Sequence, residues 1–390
     1  MSDVEEQAIR QARINGGKIA VISKVPLENR EELSTAYTPG VAAVSTVIAE
    51  NVDMAYVLTT KKNTVAVISD GSAVLGLGNI GPHAAMPVME GKAALFKRFA
   101  DIDAIPIVLD TNDVDEIVQT IKNIAPTFGG INLEDISAPR CFEIERRLID
   151  ELSIPVFHDD QHGTAIVVLA ALYNSLKLVE KEIDKIKVVI NGAGSAGIAI
   201  TRKLLAAGVK NIIVVDRRGI IARRNARNLP EHHAQISMLT NHENITGDLK
   251  DALAGADVFI GVSGPNVLRQ HWIFNMAKRP IIFAMANPTP EIFPDEAIEV
   301  GAYIVGTGRC DFPNQINNVL AFPGIFRGAL DAQACRITIE MQLAAAKALA
   351  NLIPEKELTP TNIIPDVFDP RVTTVVAESV KQVVVDRYYI

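Results

Sequence analysis

Cysteine is scarce in this chain of 390 residues: only Cys141, Cys310 and Cys335, far apart in sequence. An odd, scattered set argues against a disulfide framework or a thiolate metal site and reads as reduced thiols. Basic residues are in the minority, 38 Lys and Arg against 46 Asp and Glu, for a net charge of −8. With a pI near 5.5, that balance argues against nucleic acid or an anionic membrane as partner. Any small anionic ligand must then be held by local cations. Long apolar runs are lacking as well. The longest, AIVVLAALY from Ala165 to Tyr173, is too short to cross a bilayer and suits a buried helix. The N-terminus, MSDVEEQAIRQ, is acidic and polar, unlike a secretory signal. No low-complexity tract and no repeat at a solenoid period is present. These absences lead us to expect a soluble, cytoplasmic protein. At 48% hydrophobic and 22% charged, it has the composition of an ordinary globular chain.

What is there is an alternation of short apolar strands and helical stretches. TVAVIS (64–69), IPIVLD (105–110) and IPVF (154–157) read as buried strands, with helices near 88–100, 113–124 and 139–152. A second series follows: KVVIN (187–191), NIIVVD (211–216), DVFIGV (257–262), PIIFAMA (280–286) and AYIVG (302–306), with a helix over 196–207. The C-terminal part reads as helix from Gly324 to about Leu352 and again near 371–386. The expected fold is α/β with parallel sheets in two domains. We place residues 1–158 with 319–390 in a substrate and metal domain, and 159–318 in a Rossmann-type dinucleotide domain.

The glycine motif NGAGSAGIA supports the second assignment. Gly192, Gly194 and Gly197 follow the apolar strand KVVIN and open a helix, after which NIIVVD ends on Asp216, about 20 residues further on. The first glycine allows a tight turn, the second lets backbone approach a pyrophosphate, and the third permits close helix packing. Ala193, Ser195 and Ala196 complete the turn, and Asp216 can accept the ribose hydroxyls. A carboxylate there favours NAD, while Arg217 and Arg218 could accommodate the phosphate of NADP. The same spacing recurs in GLGNIG at Gly76, Gly78 and Gly81, but Pro82 follows at once and no strand ends in an acid. That segment reads as a flexible substrate-side loop or a plain turn.

The stretch VFHDDQHGTA sets Asp159 and Asp160 between His158 and His162. A zinc protease needs a glutamate between helical histidines, whereas this segment reads as a strand end, so the histidines should diverge and zinc is disfavoured. An aspartate could cap the following helix, which would explain one carboxylate only. A second adjacent acidic pair, Glu134 and Asp135, lies upstream in GINLEDIS. Two such pairs could converge on one hard cation, Mg²⁺ or Mn²⁺, which prefers oxygen ligands.

Taken in order, AYTPGVA (36–42), SDGSAVLGLGNIG (69–81), MEGKAALF (89–96), LED (133–135), FHDDQHGTA (157–165), NGAGSAG (191–197), ANPTPE (286–291) and NNVLAFPG (317–324) closely resemble the malic enzyme family, in its compact bacterial branch. The resemblance covers nearly the whole chain. It implies oxidative decarboxylation of (S)-malate to pyruvate and CO₂ with reduction of NAD or NADP. By motif, Glu134, Asp135 and Asp160 would be metal ligands, Lys92 the general base, Tyr37 the general acid, and Asp159 a carboxylate beside the lysine. Asn287, Asn317 and Asn318 would hold substrate, with Asn287 also near the cofactor, alongside the glycine turn, Asp216 and Arg217. A homodimer is implied. Larger relatives carry an arginine inside the segment that here contains Ser72 and Ala73, a departure that leaves the cation facing malate's distal carboxylate unassigned.

Lys92 must be neutral to take a proton, and a nearby cation and partial burial are expected to lower its pKa. Two other readings compete. One is malolactic chemistry, in which bound NAD is recycled and lactate forms. The other is an NAD-sensing protein without catalysis, which would leave Lys92, Tyr37 and both acidic pairs unexplained.

Overall fold

The computed structural model describes residues 3–74 and 76–388. An N-terminal arm carries helices α1 (Asp3–Asn15), α2 (Arg30–Ala36), α3 (Gly40–Glu50) and α4 (Ala55–Leu58), none of which buries a residue. A first sheet follows, of β1 (Thr64–Ser69), β2 (Asp103–Val108), β3 (Gly130–Leu133) and β4 (Val156–His158), all parallel in the order β2-β1-β3-β4. Helices α5 (Pro82–Ala100), α6 (Val114–Ile124) and α7 (Arg140–Glu151) are its crossovers. A second sheet orders β10-β9-β8-β5-β6-β7. Its strands are β5 (Lys187–Asn191), β6 (Asn211–Asp216), β7 (Gly219–Ile220), β8 (Val258–Gly261), β9 (Ile281–Ala284) and β10 (Ile304–Thr307). All pair in parallel except β7, a two-residue antiparallel edge. Helices α9 (Ser195–Ala206), α10 (Glu231–Leu239), α11 (Leu249–Leu253), α12 (Gln270–Ile273) and α13 (Pro294–Glu299) cover it.

The two sheets are joined by α8 (Asp159–Val179), which runs from the end of β4 and packs on α9. Residues 165–172 of α8 are all buried, four of them as Ile166, Val167, Val168 and Leu169 in succession. A helix apolar on every side belongs in a protein core, and each such side chain contributes about 1.5–3 kcal/mol on burial. The C-terminal helices α14 (Phe322–Asp331), α15 (Ile339–Asn351) and α16 (Arg371–Tyr388) pack on one another, α14 also on α5 and α15 also on α8.

Four boundaries differ from the sequence reading. The strand β3 was not expected, because four residues containing Gly and Asn carry a weak strand signal. The strand β2 starts earlier, at Asp103, and accepts Pro106 because it lies at the sheet edge. Helix α5 begins at Pro82 and runs through Pro87, earlier than the helix expected near 88–100, because a proline at the first helical position has no N–H to satisfy. The segment from Gly324 to Leu352 is two helices, parted by a turn in which Gln333 takes φ 48° and restarted by the Thr338 cap.

Candidate active site and metal centre

In an open parallel sheet, ligands gather at the carboxyl ends of the strands. Leu133 pairs with His158 across β3 and β4, so the next residues on each strand, Glu134-Asp135 and Asp159-Asp160, emerge side by side. One carboxylate oxygen from each of Glu134, Asp135 and Asp160 lies within 4.8 Å of the others. Asp160 Oδ2 accepts the Asp135 backbone N–H at 2.8 Å, and Asn132 donates to Glu134 Oε2 at 2.9 Å. Asp135 sits at φ 53°, a left-handed backbone uncommon outside glycine and therefore enforced by its surroundings.

Helix α5 brings Lys92 into this cluster. Its ammonium is 2.6 Å from Asp159 Oδ2 and 2.9 Å from Glu134 Oε1, and 4.3 Å from the centre of the Phe322 ring. All three charged side chains are buried. Burial alone would lower the lysine pKa, but Asp159 and Glu134 outweigh it and raise the value. Without a cation, two carboxylates keep Lys92 charged; the lowered lysine expected from the sequence is that of the cation-bound site. Burial pushes Glu134 up to about 7 against the pull of Lys92, with Asp160 adding to the rise. It pushes Asp159 up to about 7 and Asp160 up to about 6 in the same way. The second oxygen of Asp159 is buried with no hydrogen-bond partner. A side chain at Gly163 would meet that oxygen at 1.8 Å, so the aspartate can stand here only beside a glycine. One lysine thus faces four carboxylates, all hard oxygen donors, and the set fits an Mg²⁺- or Mn²⁺-type ion.

The helix start also revises the reading of VFHDDQHGTA. Asp159 and Asp160 are not a cap before the helix but its first turn, where their charge favours the dipole; the cap position is His158, without a side-chain cap bond. The histidines do diverge. His158 is fully buried and held down to about 4 by desolvation, while His162 bonds Glu145 at 2.9 Å.

On the second sheet, the glycine turn behaves as its spacing predicts. A Cβ on Gly192 (φ 119°) would meet Val262 O at 2.5 Å, and one on Gly197 would meet Gly192 O at 1.7 Å. Gly194 caps α9 and faces open space, the position where a pyrophosphate can approach backbone. A cavity of about 730 Å³ extends from Gly192, Ala193 and Gly194 to Asp216, Arg217 and Trp272. Ser195 and Ala196 form the first turn of α9 at its edge.

Residues 16–149 match the family domain described as malic enzyme, N-terminal domain, and residues 161–385 match malic enzyme, NAD binding domain. The chain belongs to the malic enzyme family. It is 61% identical to the NAD-dependent malic enzyme of Geobacillus stearothermophilus, over 96% of this chain and 77% of that one. It is 55% identical to the bifunctional malic/malolactic enzyme of Bacillus subtilis, over 97% and 92%. The crystal structure of the NAD-dependent malic enzyme from Thermotoga maritima superposes with a TM-score of 0.93 at 53% identity, over 96% of this chain and 98% of that one. Both malic enzyme domains are thus present, and the activity is NAD(P)-linked oxidative decarboxylation of malate.

Within this malic enzyme frame, the remaining residues divide. Asn318 begins a short 3₁₀ turn and approaches Gly163, next to Asp159. Asn317 caps that turn through its own side chain, accepting from Val319 N–H at 3.0 Å. Asn287 lies at the end of β9 against the GLGNIG loop, where a Cβ on Gly76 would meet its carbonyl at 2.7 Å. The loop therefore reaches across from the first sheet to the second, and Ile80 and Gly81 also donate to Gly71 O. Tyr37 stands apart. It is 67% exposed on the arm, and among the described residues its side chain makes no hydrogen bond.

Sequence reasoning missed His233 and Glu291, and it named Arg218 as a phosphate partner without its contact to Asp216. His233 Nε2 donates to Ala193 O at 2.8 Å, and its Nδ1 lies 3.5 Å from Asp216 Oδ2. Arg218 covers Asp216 with Nε and Nη2 at 3.1 and 2.9 Å. Buried Glu291 accepts from Ser263 and Ala286 N–H and ties the ends of β8 and β9 together. Of the two missed groups, only Glu291 had a signal, as the last residue of ANPTPE.

Proposed function

We propose that the chain oxidises (S)-malate to pyruvate and CO₂ with NAD in preference to NADP, using one Mg²⁺ or Mn²⁺ held by Glu134, Asp135 and Asp160. The observation that carries this is the convergence of those three carboxylates on a buried lysine. Such an ion would polarise the substrate's 2-hydroxyl and C2 carbonyl oxygen. Lys92 is the base for the hydroxyl proton, and Asp159 positions it. A cation held by Glu134 would compete with Lys92 for that carboxylate, leave Asp159 as the lysine's main partner and favour its neutral form. Asn287, Asn317 and Asn318 orient the substrate. Asp216 supports the NAD preference, because its carboxylate repels a ribose phosphate, while the Arg218 fork upon it leaves NADP usable.

Tyr37 protonates C3, and it does so in a second copy of the chain. The arm that bears it exposes Ile9, Ile14, Val21, Ile22 and Leu33, an apolar surface of the kind that marks an interface. We therefore read the enzyme as a homodimer whose arms complete each other's sites.

The test is initial-rate kinetics with malate, Mn²⁺ and each nucleotide, with products measured. NADH and pyruvate should appear in equal amounts, with higher kcat/KM for NAD than NADP. The malolactic alternative, favoured by the name of the Bacillus subtilis relative, requires lactate without net NADH. Turnover without added divalent ion in the presence of chelator overturns the metal assignment.

A further inference from the structure

A second cavity, of about 850 Å³, opens between α7 and α8 on one side and α9, α10 and α15 on the other. It shares no lining residue with the dinucleotide cavity and includes none of Lys92, Glu134, Asp135, Asp159 or Asp160. Two buried groups on its wall are poorly matched. Lys203 on α9 is 2% exposed, and among the described residues its ammonium, with three donors to satisfy, makes one hydrogen bond, to the Gln342 side chain on α15. Burial pulls its pKa down to about 7, with Glu145 opposing. Gln161 on α8 is likewise 2% exposed, and its side-chain nitrogen has no hydrogen-bond partner. The four carboxylates on the lining are already engaged: Glu145 Oε1 accepts the His158 backbone N–H at 2.9 Å and both its oxygens face His162, while Glu143 faces Arg147, Asp150 faces Arg146 and Glu231 accepts from Gln235. A buried ammonium and a buried amide N–H₂ on facing sides of one cavity, with Arg202 beside the lysine on α9, form a donor set that lacks its acceptor.

We propose that this cleft is a second ligand site, taking a small anion through carboxylate or phosphate oxygens received by Lys203 and Gln161. Its position suits an effector. Gln161 directly follows Asp160 in the first turn of α8, and Lys203 lies on the helix that begins at the dinucleotide turn. An anion bound to both ties the metal-bearing lobe to the nucleotide-bearing lobe, so its occupancy should change how malate is bound.

Calorimetric titration of the full chain, free of metal, nucleotide and malate, tests this with two probes, inorganic phosphate and fumarate. Binding under these conditions is independent of the reaction proposed above, and the two probes separate a phosphate ligand from a carboxylate one. At least one should bind at one site per chain. Lys203→Met should weaken it by about 10-fold or more, as expected for loss of a charge-assisted bond. Gln161→Leu should weaken it several-fold and serves as a second probe should the lysine variant fold poorly. Asp160→Asn should leave it unchanged, and Lys203→Met should keep its anion-free malate turnover. The same probe should shift the malate KM of the wild-type enzyme and not that of Lys203→Met. Absence of binding by both probes overturns the proposal. So does binding that survives Lys203→Met and Gln161→Leu, or that is lost in Asp160→Asn, since the anion then sits in the active centre.

Discussion

Replacing Lys92 by methionine keeps the bulk of the side chain against Phe322 and removes only the charge. The ammonium lies 2.6 Å from Asp159 and 2.9 Å from Glu134, with side-chain exposures of 8%, 0% and 5%. Breaking a buried ion group by deleting one member costs about 3–5 kcal/mol, because the charge left behind is uncompensated. Here two carboxylates are left, beside Asp160, and the full cost applies only while they are ionised. Both are already pushed up to about 7 with the lysine present, above the ordinary range near 4 of an unfolded chain. A group raised on folding stabilises the folded state below its unfolded pKa and loses that contribution as pH rises through the folded value. Without Lys92 the folded values rise further. The variant should therefore match the wild type near pH 5 and fall behind by about 3–5 kcal/mol near pH 8. With a urea slope of roughly 3 kcal/mol per molar, the midpoint near pH 8 moves down by about 1 M or more. Urea unfolding followed by far-ultraviolet circular dichroism, in chelator at both pH values, measures this. Malate turnover should also fall by about 10²–10⁴-fold. A midpoint deficit equal at both pH values, or turnover near the wild-type level, would refute the reasoning.

Three other outcomes are expected. Asp160→Asn should raise the Mn²⁺ concentration for half-maximal activity by about 10-fold or more, read from a metal titration at saturating malate. Gly194→Ala places a methyl group in open space at the pyrophosphate position, so the NAD KM should rise steeply while the melting temperature stays put; the single tryptophan, Trp272, lines that cavity and reports nucleotide binding by its fluorescence. Mixing inactive Lys92→Met and Tyr37→Phe chains under conditions that exchange subunits should restore part of the activity, because a mixed dimer holds one site with both groups intact. No recovery would place Tyr37 within its own chain's site or outside the chemistry.

The sequence was most legible where local physics is strict. NGAGSAG was legible from its spacing: Gly197 is required by a contact within the turn, Gly192 by its approach to Val262, and Gly194 by the open position a pyrophosphate would take. The buried strands of the second sheet were equally plain, since a strand covered on both faces is a continuous apolar run. The strand β3 was not, because GINL is short and its burial comes from neighbours on both sides. The acidic pairs were visible as oddities, but only the register of β3 on β4 makes them neighbours. The pull of Glu134 and Asp159 on Lys92 was not legible, because these partners lie 42 and 67 residues away in sequence and act together. Arg218 upon Asp216, and the presence of Lys203 and Gln161 on the lining of one cleft, depend on side-chain directions that no spacing rule encodes.

The central claim is that Glu134, Asp135 and Asp160 together grip one divalent ion beside Lys92. Anomalous diffraction from crystals grown with Mn²⁺ tests it most directly. A single strong peak among the carboxylate oxygens of those three residues is predicted. A peak elsewhere, or none at that position while the enzyme in solution requires Mn²⁺ for turnover, would contradict it.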